Sequence, residues 1–167
     1  GIAAELRRQD TLYTLVSVGP SGNDYRVISS LAATHTGTDI AALLGYFTDP
    51  EISIVTMTIT EAGYVRNERG DLDTDNPDVR SDIEVIKAGN LTAVRTAPGK
   101  LVAGLLARRD ASAGPITLIC CDNLPDNGAM LERILGELTK QSVPDLADFL
   151  GEQVGFITTM VDRITPR

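Results

Sequence analysis

The sequence has no tryptophan and few aromatic residues of any kind, which limits how its core can be built. Aromatic residues fill 4% of the 167 positions, whereas hydrophobic residues together fill 43%. That apolar content is normal for a soluble fold, and the length is enough for one ordinary core. The core must therefore consist mainly of leucine, isoleucine, valine and alanine.

Clusters of positive charge are also missing. The net charge is −8, and the only adjacent basic pairs are Arg7-Arg8 and Arg108-Arg109. A surface that binds nucleic acid concentrates lysine and arginine in order to displace counterions. The composition therefore argues against a nucleic-acid partner.

Long apolar runs and a secretory signal are absent as well. No stretch approaches the roughly 20 apolar residues of a membrane span. Cys120 and Cys121 are neighbours inside an apolar run, so we expect two buried thiols and no disulfide. We therefore predict a cytoplasmic protein with no membrane partner.

The sequence offers little for a metal site. His35 is the single histidine, and we expect it to be a solvated loop residue without a partner. Residues 71–75 imitate the start of a calcium loop, but Asn76 stands where glycine is obligatory and Asp82 where glutamate is needed. No metal is predicted.

Strands and helices alternate along most of the chain. Residues 13–18 and 25–30 predict a β-hairpin with a longer loop over residues 19–24. Residues 52–60 are nearly all β-branched and predict the central strand of a sheet. Further strands are predicted at 116–121 and 155–161, helices after residues 38 and 128 and from Pro98 and Pro144, and a surface loop at 71–82.

This order predicts an α/β fold over residues 1–167, a Rossmann-like, mostly parallel sheet with helices on both faces. Such sheets bind ligands at the carboxyl ends of their strands. Polar clusters follow three of the predicted strands, at residues 58–64, 121–128 and 160–166. Asp, Asn, Gly and Pro also end strands and cap helices without any function, so their shared placement matters more than each cluster alone.

The three clusters resemble the signature segments of the mannitol dehydrogenase family, the polyol-specific long-chain dehydrogenases. Residues 58–64 match the family's Thr-(Val/Ile)-Thr-Glu-x-Gly-Tyr, and residues 121–128 match Cys-Asp-Asn-(Leu/Ile)-x-x-Asn-Gly. Residues 160–166 match Met-Val-Asp-Arg-Ile-Thr-Pro, and an early match to Gln-Asp-x-Leu-Tyr-Thr begins at Gln9.

The resemblance implies an NAD-dependent oxidoreductase, with NADP left open, that transfers hydride between nicotinamide and a sugar alcohol or keto-sugar. The implied type is mannitol 2-dehydrogenase or fructuronate reductase. Asn123 corresponds to a substrate-binding oxyanion donor and Asp162 to a residue that contacts substrate hydroxyls. Glu61 corresponds to a proton gate beside the nicotinamide, and Thr60 lies near the coenzyme. Asp122 and Asn127 are expected to be supporting residues.

Two of the family's features have no counterpart in the sequence. There is no glycine-rich turn for the coenzyme pyrophosphate, and no Lys-x-x-x-x-Asn-x-x-His segment to supply the catalytic lysine. The resemblance therefore implies a partial coenzyme domain that lacks the first glycine-rich βα unit and is inactive alone. Its partner would be the helical carboxyl-terminal domain of the same protein, and exposed apolar surface predicts either a homo-oligomer of the fragment or marginal stability. The alternative is a truncated, non-catalytic paralogue that serves as a binding or interaction module.

Overall fold

The chain forms two units that divide between Asp39 and Ile40. The structure, a computed structural model, describes residues 1–160. The first unit contains helix α1, Ile2–Arg8, and the strands β1, Tyr13–Gly19, and β2, Gly22–Ile28.

The antiparallel hairpin of β1 and β2 confirms the predicted one, but its loop is shorter than predicted. Gly19 pairs with Gly22, which leaves Pro20 and Ser21 as the loop. Gly22 has a φ of 118°, a backbone conformation that side chains other than glycine rarely adopt. The glycine therefore permits a tight reversal, and the prediction of a loop over residues 19–24 was wrong.

His35 has a partner in the segment after the hairpin. Its Nδ1 lies 3.1 Å from Oδ2 of Asp39. The prediction of a histidine without a partner was therefore wrong, because the chain brings a carboxylate four positions away back to the ring.

The second unit is an α/β fold built on three parallel strands in the order β3-β4-β5. This confirms the predicted Rossmann-like class. Short 3-10 helices lie at Glu61–Tyr64, Leu91–Ala93 and Pro144–Leu146. The regular elements are α2 Ile40–Thr48, β3 Ile54–Met57, α3 Pro77–Lys87, α4 Ala97–Asp110, β4 Ile116–Cys120, α5 Asn127–Ser142, α6 Ala147–Gln153 and β5 Val154–Thr158.

The central strand of the sheet is β4, not β3 as predicted. Within residues 1–160, β3 pairs with β4 alone and so lies at an edge, where Ile54 is 57% exposed. The run at 52–60 shortens to four paired residues. β-branched residues favour any strand, and they do not specify how many neighbours it has.

The predicted loop at 71–82 ends early, because α3 begins at Pro77. The Asn76 side chain accepts hydrogen bonds from the N–H groups of Asp78 (2.9 Å) and Val79 (3.4 Å) and caps the helix. Proline at the first helical position supports the same start. Because acidic residues precede Pro77, the sequence predicted a loop where the structure has a helix.

Helix α4 is the most buried helix of the second unit and packs closely on α2. Gly104 faces Phe47 so closely that an added Cβ would lie 2.6 Å from the Phe47 ring. The largest fully buried apolar side chains around it come from several elements: Tyr64, Phe47, Leu105, Leu118, Leu131, Ile134, Leu135, Leu138 and Leu146. The core is aliphatic, as the composition predicted.

The two cysteines differ in burial. Both are free thiols, but Cys120 is buried whereas Cys121 is only partly so, which corrects the prediction of two buried thiols. Successive residues of a strand point to opposite faces, so a neighbouring pair cannot share one core. Among residues 1–160, no helix combines the length and the apolar character needed to cross a membrane.

Candidate active site

The three parallel strands end side by side. Met57 pairs with Cys120, and Cys120 pairs with Thr158. One step further, the Cys121 N–H donates to the Met57 carbonyl at 2.7 Å, and Thr159 Oγ1 donates to the Cys120 carbonyl at 2.6 Å. The polar clusters that follow β3 and β4 therefore start from the same end of the sheet, where its strands have their carboxyl ends, as predicted.

Asn127 ties the loop after β4 to the end of β5. Its buried Nδ2 donates to Oδ1 of Asp122 at 2.9 Å and to the Thr159 carbonyl at 3.0 Å. Its Oδ1 accepts from the Thr159 N–H at 3.3 Å. Both polar atoms of this side chain are engaged within the protein, so Asn127 supports the loop and is not available to a ligand.

Asp122 is the second buried polar residue of this loop. It accepts hydrogen bonds from the Tyr64 hydroxyl, from Asn127 and from the Leu124 N–H. Burial acts to raise the pKa of the Asp122 carboxyl, but these hydrogen bonds outweigh it and leave the pKa below its ordinary value. Asp122 is therefore a charged, fully engaged carboxylate that holds the loops after β3 and β4 together.

The Asn-Gly pair at the start of α5 serves packing. A Cβ on Gly128 would lie 2.7 Å from the Thr158 backbone nitrogen, so only glycine allows this approach to β5. The Gly128 N–H also donates to Thr158 Oγ1 at 3.1 Å. Asp126, just before the helix, adopts a left-handed conformation with φ 52°. The motif thus builds a tight strand–loop–helix connection.

Asn123 differs from its neighbours because it is exposed. Within the described part of the chain, its amide makes no hydrogen bond to another residue. An exposed amide held between engaged neighbours is a donor that a ligand can use. The structure thus places Asn123 as an exposed side chain in the loop after β4, beyond the carboxyl end of that strand.

Thr60 and Glu61 follow β3 at the same end of the sheet, and both are exposed. Glu61 begins the 3-10 helix Glu61–Tyr64, and its Oε1 lies 3.0 Å from Nη2 of Arg66. The partner of Glu61 is therefore an arginine of its own loop, which the sequence did not indicate.

An open cavity of about 800 Å³ lies beside Glu61 and is lined by Arg66, Arg69 and Arg133, among others. A smaller cavity of about 260 Å³ shares Arg66 and Arg133 and is also lined by Asp126. Arg66, from the segment after β3, and Arg133, from helix α5, therefore line both cavities. Sequence reasoning missed both of them, since neither belongs to a motif.

Asp162 lies outside the described residues, as does most of the third cluster. Among residues 1–160, no group of three or more His, Cys, Asp or Glu side chains is placed to hold a metal ion. Of the residues predicted for the site, the structure therefore describes Thr60, Glu61 and Asn123.

Comparison with known proteins shows the same family at the level of sequence and of structure. The family model of the mannitol dehydrogenase Rossmann domain matches residues 1–167. The chain is 37% identical to mannitol 2-dehydrogenase from Cereibacter sphaeroides, over 96% of this chain and 33% of that protein. It is also 37% identical to the uncharacterized oxidoreductase YeiQ from Escherichia coli, over 99% of this chain and 33% of that protein.

A solved structure of Pseudomonas fluorescens mannitol 2-dehydrogenase, a ternary complex with NAD and D-mannitol, superposes with a TM-score of 0.85 at 33% identity. The match covers 99% of this chain and 33% of that one. A substrate-free D-sorbitol dehydrogenase gives a TM-score of 0.84 at 37% identity, over 99% of this chain and 34% of that one. The chain spans about a third of the length of these relatives, and it belongs to the mannitol dehydrogenase family, because the model of that family's Rossmann domain matches residues 1–167.

Proposed function

We propose that the chain is part of the coenzyme domain of an oxidoreductase that acts on a sugar alcohol or keto-sugar, of the mannitol 2-dehydrogenase or fructuronate reductase type. The observation that carries this proposal is the exposed Asn123 amide between two fully engaged neighbours, Asp122 and Asn127. Family membership over residues 1–167 and mannitol 2-dehydrogenase relatives support it.

Asn123 would act on the reacting oxygen of the substrate. When a carbinol becomes a carbonyl, or the reverse, negative charge develops on this oxygen. A fixed amide donor stabilises that charge, and its loss typically lowers turnover by about 100- to 1000-fold. The engaged neighbours fix the loop backbone, so the donor needs little reorganisation.

Glu61 and Thr60 would lie against the nicotinamide end of the coenzyme. We propose NAD, with NADP as the alternative to be tested beside it. The exposed end of β3 fits this part of the ligand, because dinucleotides bind at the carboxyl ends of such strands. When bound, the nicotinamide gives or takes the hydride. Glu61 would pass the accompanying proton between the site and solvent, since its carboxylate is exposed.

Asp162 completes the proposed site. In sequence it follows the last residue of β5, Thr158, by four positions. A carboxylate accepts hydrogen bonds from several hydroxyls, which suits a polyol. We propose that it contacts the substrate hydroxyls.

The remainder of the enzyme would come from residues beyond this chain. The chain has no Gly-x-Gly-x-x-Gly run, so another segment must hold the pyrophosphate. The relatives are about three times as long. We propose that residues 1–167 form one partial domain of a longer protein and that the general acid–base lies in its other domain.

The test uses the intact protein, a panel of polyols and keto-sugars, and both coenzymes. Asn123→Ala should lower kcat by about 100- to 1000-fold. It should change the free energy of unfolding by less than about 0.5 kcal/mol, because the side chain is exposed. Unchanged turnover would remove Asn123 from the site.

Asn127→Ala is the matched control, an asparagine of the same motif with its amide buried. It leaves several buried partners unsatisfied and should destabilise the fold by about 2–3 kcal/mol. If the intact wild-type protein turns over no polyol or keto-sugar with either coenzyme, a non-catalytic binding module becomes the better account.

A further inference from the structure

Arg66 begins a closed loop that follows the 3-10 helix. Arg66 and Leu72 form an antiparallel bridge. Beside it, the Asp73 N–H donates to the Val65 carbonyl at 2.8 Å, and the Asn67 N–H donates to the Asp71 carbonyl at 2.9 Å. The two arms of the loop thus hold each other, and the backbone of Arg66 is fixed on one side.

Helix α5 fixes the same loop from the other side. Nη2 of Arg133 donates to the Gly70 carbonyl at 2.6 Å. The Leu72 N–H donates to Oε2 of Glu137 at 2.7 Å. The segment that carries Arg66 is therefore attached to the helix that follows the Asn123 loop.

Val65 turns the chain so that Arg66 returns toward Glu61. Its φ of 51° and ψ of 57° are left-handed, which costs a β-branched residue about 1–2 kcal/mol. Strain of this size persists only where the surroundings impose it. Here Tyr64, the preceding residue, is fully buried and bonded to Asp122.

The Arg66 guanidinium is the fixed partner of the ion pair with Glu61. The Arg66 side chain is 23% exposed and that of Glu61 is 73% exposed, with Nη2 and Oε1 3.0 Å apart. Nε of Arg66 is buried without a hydrogen-bond partner in the described structure. The anchored arginine therefore restricts an otherwise free carboxylate.

We propose that Arg66 is a positioning residue for Glu61, holding its carboxylate at the edge of the site where it acts. This inference rests on the proposed function of Glu61. A planar guanidinium suits the task better than an ammonium, because it directs its hydrogen bonds from a fixed fork. Without Arg66, the exposed Glu61 side chain samples its rotamers and spends less time in the reactive arrangement.

The test compares Glu61→Gln, Arg66→Met, Arg66→Lys and the double variant Glu61→Gln/Arg66→Met in the intact protein. Glu61→Gln should lower kcat by at least about tenfold. Arg66→Met should lower kcat by about tenfold, with KM for the coenzyme changed less than about twofold. Arg66→Lys should recover part of that loss, and the double variant should be no slower than Glu61→Gln, because the two residues act through one carboxylate.

Arg109→Met is the matched control. Arg109 pairs with Asp145 at 2.9 Å, with side chains 27% and 73% exposed, at the end of α4 that precedes β4. The Arg109–Asp145 ion pair resembles the Arg66–Glu61 ion pair in distance and exposure, but it lies away from the carboxyl ends of the strands. Arg109→Met should leave kcat unchanged.

The remaining outcomes separate the two proposals. If Glu61→Gln slows turnover but both Arg66 variants are as fast as wild type, the positioning role is wrong and the proposed function stands. If Arg66→Met slows the Glu61→Gln protein as much as the wild type, Arg66 acts independently of Glu61, which also overturns the inference. If Glu61→Gln turns over normally, the role of Glu61 falls and the inference falls with it. Should the methionine variant not fold, Arg66→Lys in both backgrounds decides the same question.

Discussion

The hydroxyl of Tyr64 donates a hydrogen bond to Oδ2 of Asp122 and so joins the loop after β3 to the end of β4. Both side chains are buried. Burial raises the pKa of the Tyr64 phenol, and the hydrogen bond to Asp122 raises it further. At neutral pH the pair is thus a neutral phenol and a carboxylate, and the frame behind Asn123 depends on it.

Tyr64→Phe should destabilise the protein by about 1–3 kcal/mol, because a buried carboxylate oxygen loses its donor. Urea denaturation of the variant and the wild type measures the difference. The double-mutant cycle with Asp122→Asn isolates the pair, and we expect a coupling of at least about 0.5 kcal/mol. Strictly additive effects would show that the hydrogen bond contributes nothing of its own.

Stability should also fall at alkaline pH because of Tyr64. Above pH of about 10, the phenol ionises in the unfolded chain but stays protonated in the folded one. The unfolded state then binds fewer protons, so the free energy of unfolding falls by about 1.4 kcal/mol per pH unit. The raised pKa of Tyr64 thus gives stability that is complete below pH of about 10 and lost above it.

Urea denaturation of the wild type and Tyr64→Phe between pH 9 and 12 tests this slope (pH range set by the reference pKa of about 10). The stability advantage of the wild type should shrink as the pH rises. Burial also raises the pKa of the Cys120 thiol, and its hydrogen bond with Tyr64 acts in the opposite direction, so both proteins are compared in a Cys120→Ala background. Parallel curves over this range would contradict the assignment.

The sequence could predict those helices and strands that show a clear pattern of apolar residues. Leu101, Val102 and Leu105 mark the buried face of α4, and the apolar run before Cys121 marks β4. Periodicity does not report how many neighbours a strand has, so β3 was placed at the centre of the sheet. Nor does it report the start of α3, where the signal was a cap, Asn76, followed by a proline.

Residues of the candidate site that belong to a motif could be predicted from the sequence, whereas the tertiary contacts of the candidate site could not. The positions after strands pointed to the polar clusters, and the resemblance of those motifs to the family's segments singled out Glu61 and Asn123 within them. The partners of these loops lie far away in sequence: Tyr64 is 58 positions from Asp122. Likewise, Asp82 is buried because it accepts hydrogen bonds from the Arg95 and Thr96 N–H groups at 2.8 and 2.9 Å. The local sequence pattern does not indicate which distant residues will form such pairs.

Replacing Arg108 should be the most damaging single change to the core. The side chain is 1% exposed, and among residues 1–160 it forms no hydrogen bond to a carboxylate. It donates instead to five backbone carbonyls, those of Phe47, Asp49, Ala113, Gly114 and Pro115. Arg108→Met keeps much of the volume but removes all five of these hydrogen bonds; of the five carbonyls, that of Asp49 also accepts from the Ile52 N–H at 3.2 Å. We expect a loss of about 3–5 kcal/mol in urea denaturation.

The neighbouring arginine is the control for Arg108. Arg109→Met removes two ion pairs, with the exposed carboxylates of Asp110 and Asp145, and should cost less than about 1 kcal/mol. Arg108→Lys keeps the charge but offers three donors in place of five, so it should fall between the two. Equal effects of the three variants would mean that the carbonyls find other donors, such as water.

Two glycines in helices should respond in opposite ways to the same substitution. A Cβ on Gly99 in α4 would lie 2.0 Å from Oδ2 of Asp82. That oxygen cannot move aside, because it accepts from the Thr96 N–H at 2.9 Å and from Thr96 Oγ1 at 2.6 Å. Gly99→Ala should therefore destabilise the protein by about 1–3 kcal/mol through overpacking.

Within residues 1–160, a Cβ added to Gly136 in α5 would have no atom within 4 Å apart from its chain neighbours and the nearby backbone of its own helix. Gly136→Ala should stabilise the protein by about 0.4–1 kcal/mol, because alanine lowers the conformational entropy of the unfolded chain and no contact opposes it. Urea denaturation of both variants shows whether each substitution lowers or raises the free energy of unfolding. If Gly99→Ala were stabilising as well, Asp82 would have to leave its site, and the hydrogen bonds that link α3 to the start of α4 would not be the constraint that the structure indicates.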